Sequence, residues 1–433
     1  LNTEVNVTGK PANNVFSMAA AAIAKTFHDV GDADFSRFRV QSVDNNGSKL
    51  HHVGEQPGAP GVYPLAGTNY LGAGLWPETR EVAKRAIDEL GCGSFGTCPL
   101  SGESHYHDEL KAELERVYRP NGGARAFITA SASLANVTSI PMFVGHGDFL
   151  FFEEENHMTL VQGANLSRAQ VIRYKHRDVA DLEAKMKAAD VEDPQRQRRR
   201  LIATDGIFSM SGHLAPLKEL SALARQHGAW LLVDESHALG AVGKHGLGTH
   251  EQCGVDGSVM DIVTGTLGKS VGAAGGYVVA SDEVAQQCHL EYMTNRAFSS
   301  VIPSATAAAA GHVVRQMNRY AAGARNTFAD VYEHQRRNAE ILKRHLGSLR
   351  AHGYETEPEH CPAFVQRLVI GDTARAFRIQ KRLYDEGVYV LAYVFPIVHH
   401  GRDMMRITPM ATISEPEMEQ IGETIARVCR AER

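Results

Sequence analysis

Seven short apolar runs recur through the middle of the chain, at residues 126–129, 149–153, 171–174, 201–204, 230–234, 262–264 and 277–280. Each is too short for a helix and apolar throughout rather than alternating, the pattern of strands covered on both faces. The intervening segments carry helical spacing. Residues 78–90 place Val82, Ala83, Ala86, Ile87 and Leu90 on one face, and residues 107–118 do the same with Leu110, Leu114 and Val117. Residues 215–227 read as a helix between two of the runs. The chain therefore reads as α/β, with a mostly parallel central sheet and helices on both faces.

The flanks differ. Residues 1–66 read as an irregular arm, with one helix at 17–29 and a Gly-, Pro- and Asn-rich stretch at 44–64. A large unit spans 67–320. A long helical region at 305–347 crosses into a smaller α/β unit, 321–433, with strands near 363–370, 388–392 and 404–408.

Charge excludes one function class. There are 45 basic and 50 acidic residues, net −5, so the basic surplus of a nucleic-acid footprint is missing. The cluster Arg196, Arg198, Arg199 and Arg200 reads as a solvated loop end, with an anionic contact as the other reading. The six cysteines form no C-x-x-C pair, which implies reduced thiols and a cytoplasmic setting. No apolar stretch approaches the 18 residues a membrane span needs.

Several motifs fail their structural tests. Gly91, Gly93 and Gly96 satisfy G-x-G-x-x-G but follow a helix rather than a strand, so they are read as a loop near the substrates. Gly268-Lys269-Ser270 lacks the first glycine of a P-loop, since position 263 is Val263. His105 with His107, and His399 with His400, lack a companion set of Cys or carboxylate ligands, so no metal site is expected.

Three features remain. Asp234 ends an apolar run, where α/β proteins bind ligands. Lys269 lies just beyond the next run in a Gly-rich turn. Residues 131–136 follow a strand and open a helix, whose free N–H groups could hold a phosphate. A lysine, an aspartate and a phosphate cradle are what pyridoxal phosphate requires. Taken singly, Asp234 is equally a helix cap or ion-pair partner, and Lys269 a solvated side chain.

The ordered motifs narrow the choice. Leu232-Val233-Asp234-Glu235-Ser236-His237, Gly265-Thr266-Leu267-Gly268-Lys269-Ser270-Val271-Gly272, Asp205-Gly206-Ile207-Phe208-Ser209 and Asn69-Tyr70-Leu71-Gly72 resemble the α-oxoamine synthases over residues 67–433. These are pyridoxal-phosphate acyltransferases of fold type I. The Asp-Glu-Ser-His and Phe298-Ser299-Ser300 segments are similar to the quorum-sensing autoinducer synthases, and the Lys269 turn to serine palmitoyltransferase.

The resemblance implies a role for each matching position. Lys269 would be the Schiff-base lysine. Asp234 would face the ring nitrogen, His237 the ring hydroxyl and His157 the ring face, with Ser209 supporting the ring. Ala132, Ser133 and Thr266 would bind the phosphate, joined by Ser299 and Ser300 from a second subunit of a homodimer with active sites at its interface. Arg406 would hold the amino acid carboxylate, as a bidentate guanidinium suits, and Asn69 would contact substrate. The implied reaction is a decarboxylative Claisen condensation of an amino acid with an acyl thioester, carried by coenzyme A or a carrier protein, giving an α-amino ketone. An aminotransferase or lyase on the same fold is the alternative, and a non-catalytic homologue a third. The family's arginine is missing from residues 96–102, and the segment 409–413 lacks the family's closing histidine, which leaves the substrate pair less defined than the cofactor.

Overall fold

The structure is a computed structural model that describes residues 40–44, 47–52, 60–357, 359, 361–395 and 397–432. The helix expected at 17–29 lies outside them. Strands β1 (Val40–Val43) and β2 (Leu50–His52) form an antiparallel pair. The next, β3 (Tyr63–Pro64), is taken up below. A seven-stranded sheet follows, built from β4 (Ala124–Thr129), β5 (Phe149–Glu153), β6 (Gln170–Tyr174), β7 (Arg200–Asp205), β8 (Trp230–Asp234), β9 (Ile262–Thr266) and β10 (Gly276–Ser281). Their order is β4-β10-β9-β8-β7-β5-β6, and β10 alone in this sheet runs antiparallel to its neighbours. The sequence runs all become strands, two of them, β5 and β8, residue for residue.

Alternate side chains of each strand enter different cores, as the two-residue period of a strand requires. Phe149, Phe151, Ile202, Leu231 and Val233 pack on one face, against helices His105–Tyr118, Leu217–His227 and Ser304–Ala321. Leu150, Phe152, Leu201 and Leu232 pack on the other, against Ala132–Phe143 and Met158–Ser167. Helix Pro77–Leu90 buries Ala86 but leaves Ile87 exposed, so its apolar face is covered only in part by this chain.

Four further strands, β11 (Gln366–Val369), β12 (Val388–Tyr389), β13 (Leu391–Tyr393) and β14 (Met404–Ile407), lie near the end of the chain. Strands β11, β14 and β13 form a sheet over a separate apolar cluster with Leu342, Leu346, Met418, Ile421 and Ile425. Strand β12 pairs in parallel with β3, and Leu65 joins the same cluster.

Three expectations change. The single helical region at 305–347 is two helices, Ser304–Ala321 and Thr327–Gly347. Gly323 takes φ +94° between them, and the Asn326 side chain caps the second by accepting from Ala329 N–H at 2.9 Å. The strand expected at 388–392 is two short ones with different partners. The arginine cluster is a solvated loop end only in part, with Arg196 and Arg199 exposed. Arg200 is buried and pairs with Asp190 and Asp193, while Arg198 covers the Phe149 ring at 3.6 Å and pairs with Glu192.

The turn after β9 fits closely against residues 72–75. Gly272 has φ +69°, and a Cβ there would fall inside the contact distance of Gly74 N. Gly272→Ala is expected to cost about 2–3 kcal/mol, from the left-handed backbone and the collision together. Gly323→Ala, with a similar φ but open space around it, should cost only about 1 kcal/mol. Thermal unfolding of both variants checks this, and equal midpoints would refute the close contact.

Candidate active site

Parallel pairing carries the ends of neighbouring strands to one edge of the sheet. Asp205 at the end of β7 is in register with Asp234 at the end of β8, and Asp234 with Thr264 of β9. The chain leaves β9 through Leu267 and turns back into β10, with Leu267 N–H donating to Gly275 O at 3.0 Å and Ala273 N–H to Leu267 O at 2.8 Å. This turn presents Lys269 to the same edge. Across from it, helix Ala132–Phe143 begins directly after β4, where Ser131 caps it by accepting from Leu134 N–H at 3.2 Å. The N–H groups of Ala132 and Ser133 lie in the first turn and have no partner within the helix. Gly276 of β10 backs onto this helix start so closely that a Cβ would overlap Ala132 N.

These elements enclose a cavity of about 250 Å³. Of the residues expected in the site, Lys269, Asp234, His237, His157, Thr266, Ala132 and Ser133 line it. Arg406 on β14 stands at its edge, over the Tyr393 ring at 5.0 Å and close enough for its charge to act on Lys269, His157 and His237. Its Nη1 donates to the Ser209 carbonyl at 3.3 Å, so Ser209 meets the site through its backbone and does not line the cavity. Asn69 does not line it either, although its buried Oδ1 has no protein partner. Ser299 and Ser300 lie away from this chain's cavity. Ser300 bridges to Thr97, and the neighbouring Phe298 is 83% exposed. The loop at 91–96 lines no part of the cavity.

Four residues given no role from sequence belong to the site. Tyr70, fully buried, bonds His237 Nδ1 at 2.7 Å. Asn136 donates to Asp234 Oδ2 at 2.6 Å and to Thr159 Oγ1 at 3.0 Å. Asp205 accepts from His157 N–H at 3.4 Å. Asp205 carries the signal that singled out Asp234, a carboxylate closing an apolar strand. Tyr70, Asn136 and Thr159 carry no such signal.

The electrostatics follow from burial. Lys269 is pushed down to about 8, first by desolvation and then by Arg406, with Asp234 and Asp205 pulling the other way. His237 is driven well below the ordinary histidine range by burial and by the Lys269 and Arg406 cations. Asp205 is raised well above the ordinary carboxylate range by burial and by the neighbouring charge of Asp234. Asp234 accepts from Asn136 Nδ2 and from Ser236 N–H at 2.8 Å, bonds that favour a charged carboxylate.

An amine depressed toward neutrality, a hydrogen-bonded carboxylate and two free N–H groups at a helix start therefore face one enclosed space. The donor set fits pyridoxal phosphate: an amine for its aldehyde, a carboxylate for its ring nitrogen, and helix-terminal amides for its phosphate.

Comparison with known proteins agrees. Residues 61–425 match the aminotransferase class I and II family. The chain is 36% identical over 373 residues to the 8-amino-7-oxononanoate synthase of Geotalea daltonii, covering 85% of this chain and 89% of that protein. The enzyme of the same name from Geobacter sulfurreducens is 36% identical over 374 residues, covering 85% and 88%. Among solved structures, serine palmitoyltransferase with a PLP internal aldimine superposes with a TM-score of 0.83 at 26% identity, over 97% of this chain and 99% of that one. The serine palmitoyltransferase of Sphingomonas wittichii gives 0.82 at 25% identity over the same shares.

The depressed Lys269 has a measurable consequence. Because its amine loses the proton near pH 8 rather than 10.5, cofactor-free protein should acylate at Lys269 with a rate that rises to half its maximum near pH 8. Exposed lysines should still be charged there. Mass mapping of briefly acylated protein across pH 6–11 (about half a unit per step) resolves the two. A midpoint at the ordinary lysine value would overturn the assignment of a desolvated amine.

Proposed function

The chain belongs to the aminotransferase class I and II family, and from that premise we propose that it acts as an α-oxoamine synthase, condensing an amino acid with an acyl thioester and releasing carbon dioxide. The relatives named 8-amino-7-oxononanoate synthase and the serine palmitoyltransferase structures support this reading. So does one observation above all: Lys269, Asp234 and the helix start at Ala132 and Ser133 line a single cavity with Arg406 at its edge.

Bound pyridoxal phosphate supplies an electron sink that makes the α-carbon of the amino acid acidic and lets it attack a thioester carbonyl. The residues prepare that chemistry. Lys269 would hold the cofactor aldehyde, and its free amine would take the α-proton, a task suited to a base poised near pH 8. Asp234 holds a positive ring nitrogen. Ala132, Ser133 and Thr266 hold the phosphate. His157 and His237, both shifted toward the neutral form by burial, line the cavity and would face the ring. Arg406 receives the amino acid carboxylate, with Asn69 and Ser209 beside the substrate.

The enzyme works as a homodimer in this reading. Ser299 and Ser300 do not line their own cavity, stand next to exposed Phe298, and would reach the phosphate of a second copy. Residues 67–320 form the cofactor unit and residues 321–433 the smaller unit, which Tyr63–Pro64 and Leu65 join. The setting is cytoplasmic, consistent with six unpaired cysteines. No helix among the described residues is long and apolar enough to cross a membrane.

The test is a panel of amino acids and acyl thioesters, scored by thiol release and by product mass. Condensation releases thiol and yields an amino ketone. An aminotransferase or lyase consumes the amino acid with no thiol released. Lys269→Ala should lose turnover by at least about a thousandfold and form no borohydride-reducible cofactor adduct at that position. An adduct that persists in this variant sinks the assignment.

A further inference from the structure

A hydrogen-bond chain of fixed direction joins two of the cavity's functional groups. The Asn136 amide nitrogen lies 2.6 Å from Asp234 Oδ2 and 3.0 Å from Thr159 Oγ1. An amide nitrogen carries two hydrogens and only donates. The opposite amide orientation would press Oδ1 against a carboxylate oxygen, so the network itself fixes the orientation. Thr159 Oγ1 thus accepts from Asn136 and, with its own hydrogen free to donate, lies 2.8 Å from His157 Nδ1. Thr159 N–H approaches the same nitrogen at 3.3 Å. His157 Nδ1 is therefore an acceptor without a proton. Burial, with the Lys269 and Arg406 cations opposing Asp234, keeps the ring neutral, so its single proton sits on Nε2.

We infer that Asn136 and Thr159 are positioning residues: Asn136 orients the Asp234 carboxylate and, through Thr159, supports the His157 ring with Nδ1 as a hydrogen-bond acceptor. The assignment takes its catalytic meaning from the function proposed above, and its geometry stands without it.

Three structural details support the role. Asn136 lies on the helix whose first turn supplies the phosphate amides, one turn from Ala132 and Ser133, so a single element sets the phosphate cradle and the Asp234 plane. That helix is pinned from behind, since Gly163 packs against the Asn136 carbonyl where a Cβ would approach to 2.6 Å. His157 is in turn the residue that caps helix Met158–Ser167, and its own N–H is directed to Asp205, so its ring has little freedom to find another partner. A donor on Asp234 favours the charged form, the form required opposite a protonated ring nitrogen.

The direction of the chain gives a distinctive test. In Asn136→Asp a second carboxylate meets Asp234, and the Thr159 hydroxyl has an acceptor where it had a donor. The hydroxyl then turns to donate to the introduced carboxylate, and His157 Nδ1 keeps only the approach of Thr159 N–H at 3.3 Å. 15N spectra of histidine-labelled, cofactor-free protein distinguish a protonated ring nitrogen from a bare one and a hydrogen-bonded bare nitrogen from a free one, and His157→Gln identifies the signal. The expected result is a bare, hydrogen-bonded Nδ1 in the parent protein and a bare Nδ1 displaced toward the free value in Asn136→Asp. A protonated Nδ1 in the parent protein, or an Nδ1 signal unchanged in Asn136→Asp, refutes the inference.

Thr159→Val and Thr159→Ser keep the test decisive if Asn136→Asp fails to fold. With cofactor bound, Thr159→Val should lose about tenfold or more in kcat with little change in KM, the order found for outer partners of functional histidines. Thr159→Ser, which retains the hydroxyl, should restore it. Equal kcat in the two variants overturns the role of Thr159. A parent protein with the expected tautomer but no thiol release would leave this inference standing and remove the functional reading instead.

Discussion

Everything at the site depends on the parallel pairing of β7, β8 and β9. That pairing sets Asp205, Asp234 and the exit toward Lys269 side by side at one edge of the sheet. In an antiparallel sheet the same residues would alternate between opposite edges. Because both faces of the sheet are covered, the strand ends are also desolvated, which brings Lys269 down to about 8 and raises Asp205. Topology thus supplies position and chemical character together.

Close backbone packing then holds the geometry. Gly276 lets the sheet touch the start of the phosphate helix, and Gly272 lets the lysine turn touch residues 73–74. Each glycine removes a side chain where two backbones must meet. These contacts, with the Tyr70–His237 hydrogen bond, fix the lysine turn, the helix start and the Tyr70 segment relative to one another.

The sheet was legible in the sequence because buried strands announce themselves locally: a polar or Gly-rich break, a short apolar run, another break. β5 and β8 could be read to the residue for this reason. Lys269 and Asp234 were legible because they sit at the ends of such runs. The break between Ser304–Ala321 and Thr327–Gly347 was not, since apolar spacing continues across a short interruption whose cap, Asn326, looks like an ordinary polar residue. Tyr70 and Asn136 escaped for a different reason. Their partners, His237 and Asp234, are far away along the chain, and only the folded sheet brings each pair within hydrogen-bonding distance. Ser299 and Ser300, expected beside a phosphate, lie outside their own chain's cavity.

The pairing of β3 with β12 bears on how the site comes to exist during synthesis. Tyr63–Pro64 waits for Val388–Tyr389, Leu65 O for Thr408 N–H, and Tyr70 O for Ala411 N–H. A nascent chain that has already emitted the whole seven-stranded sheet still lacks part of the backing for the segment that presents Tyr70 to His237. Closing a loop that long carries an entropic cost that only the last apolar cluster repays. The lysine, its aspartate and the phosphate helix can be assembled while the C-terminus is still unmade, but the segment that steadies His237 gains its full support when the final strands arrive. A truncated or stalled product would hold much of the cofactor cradle without this support.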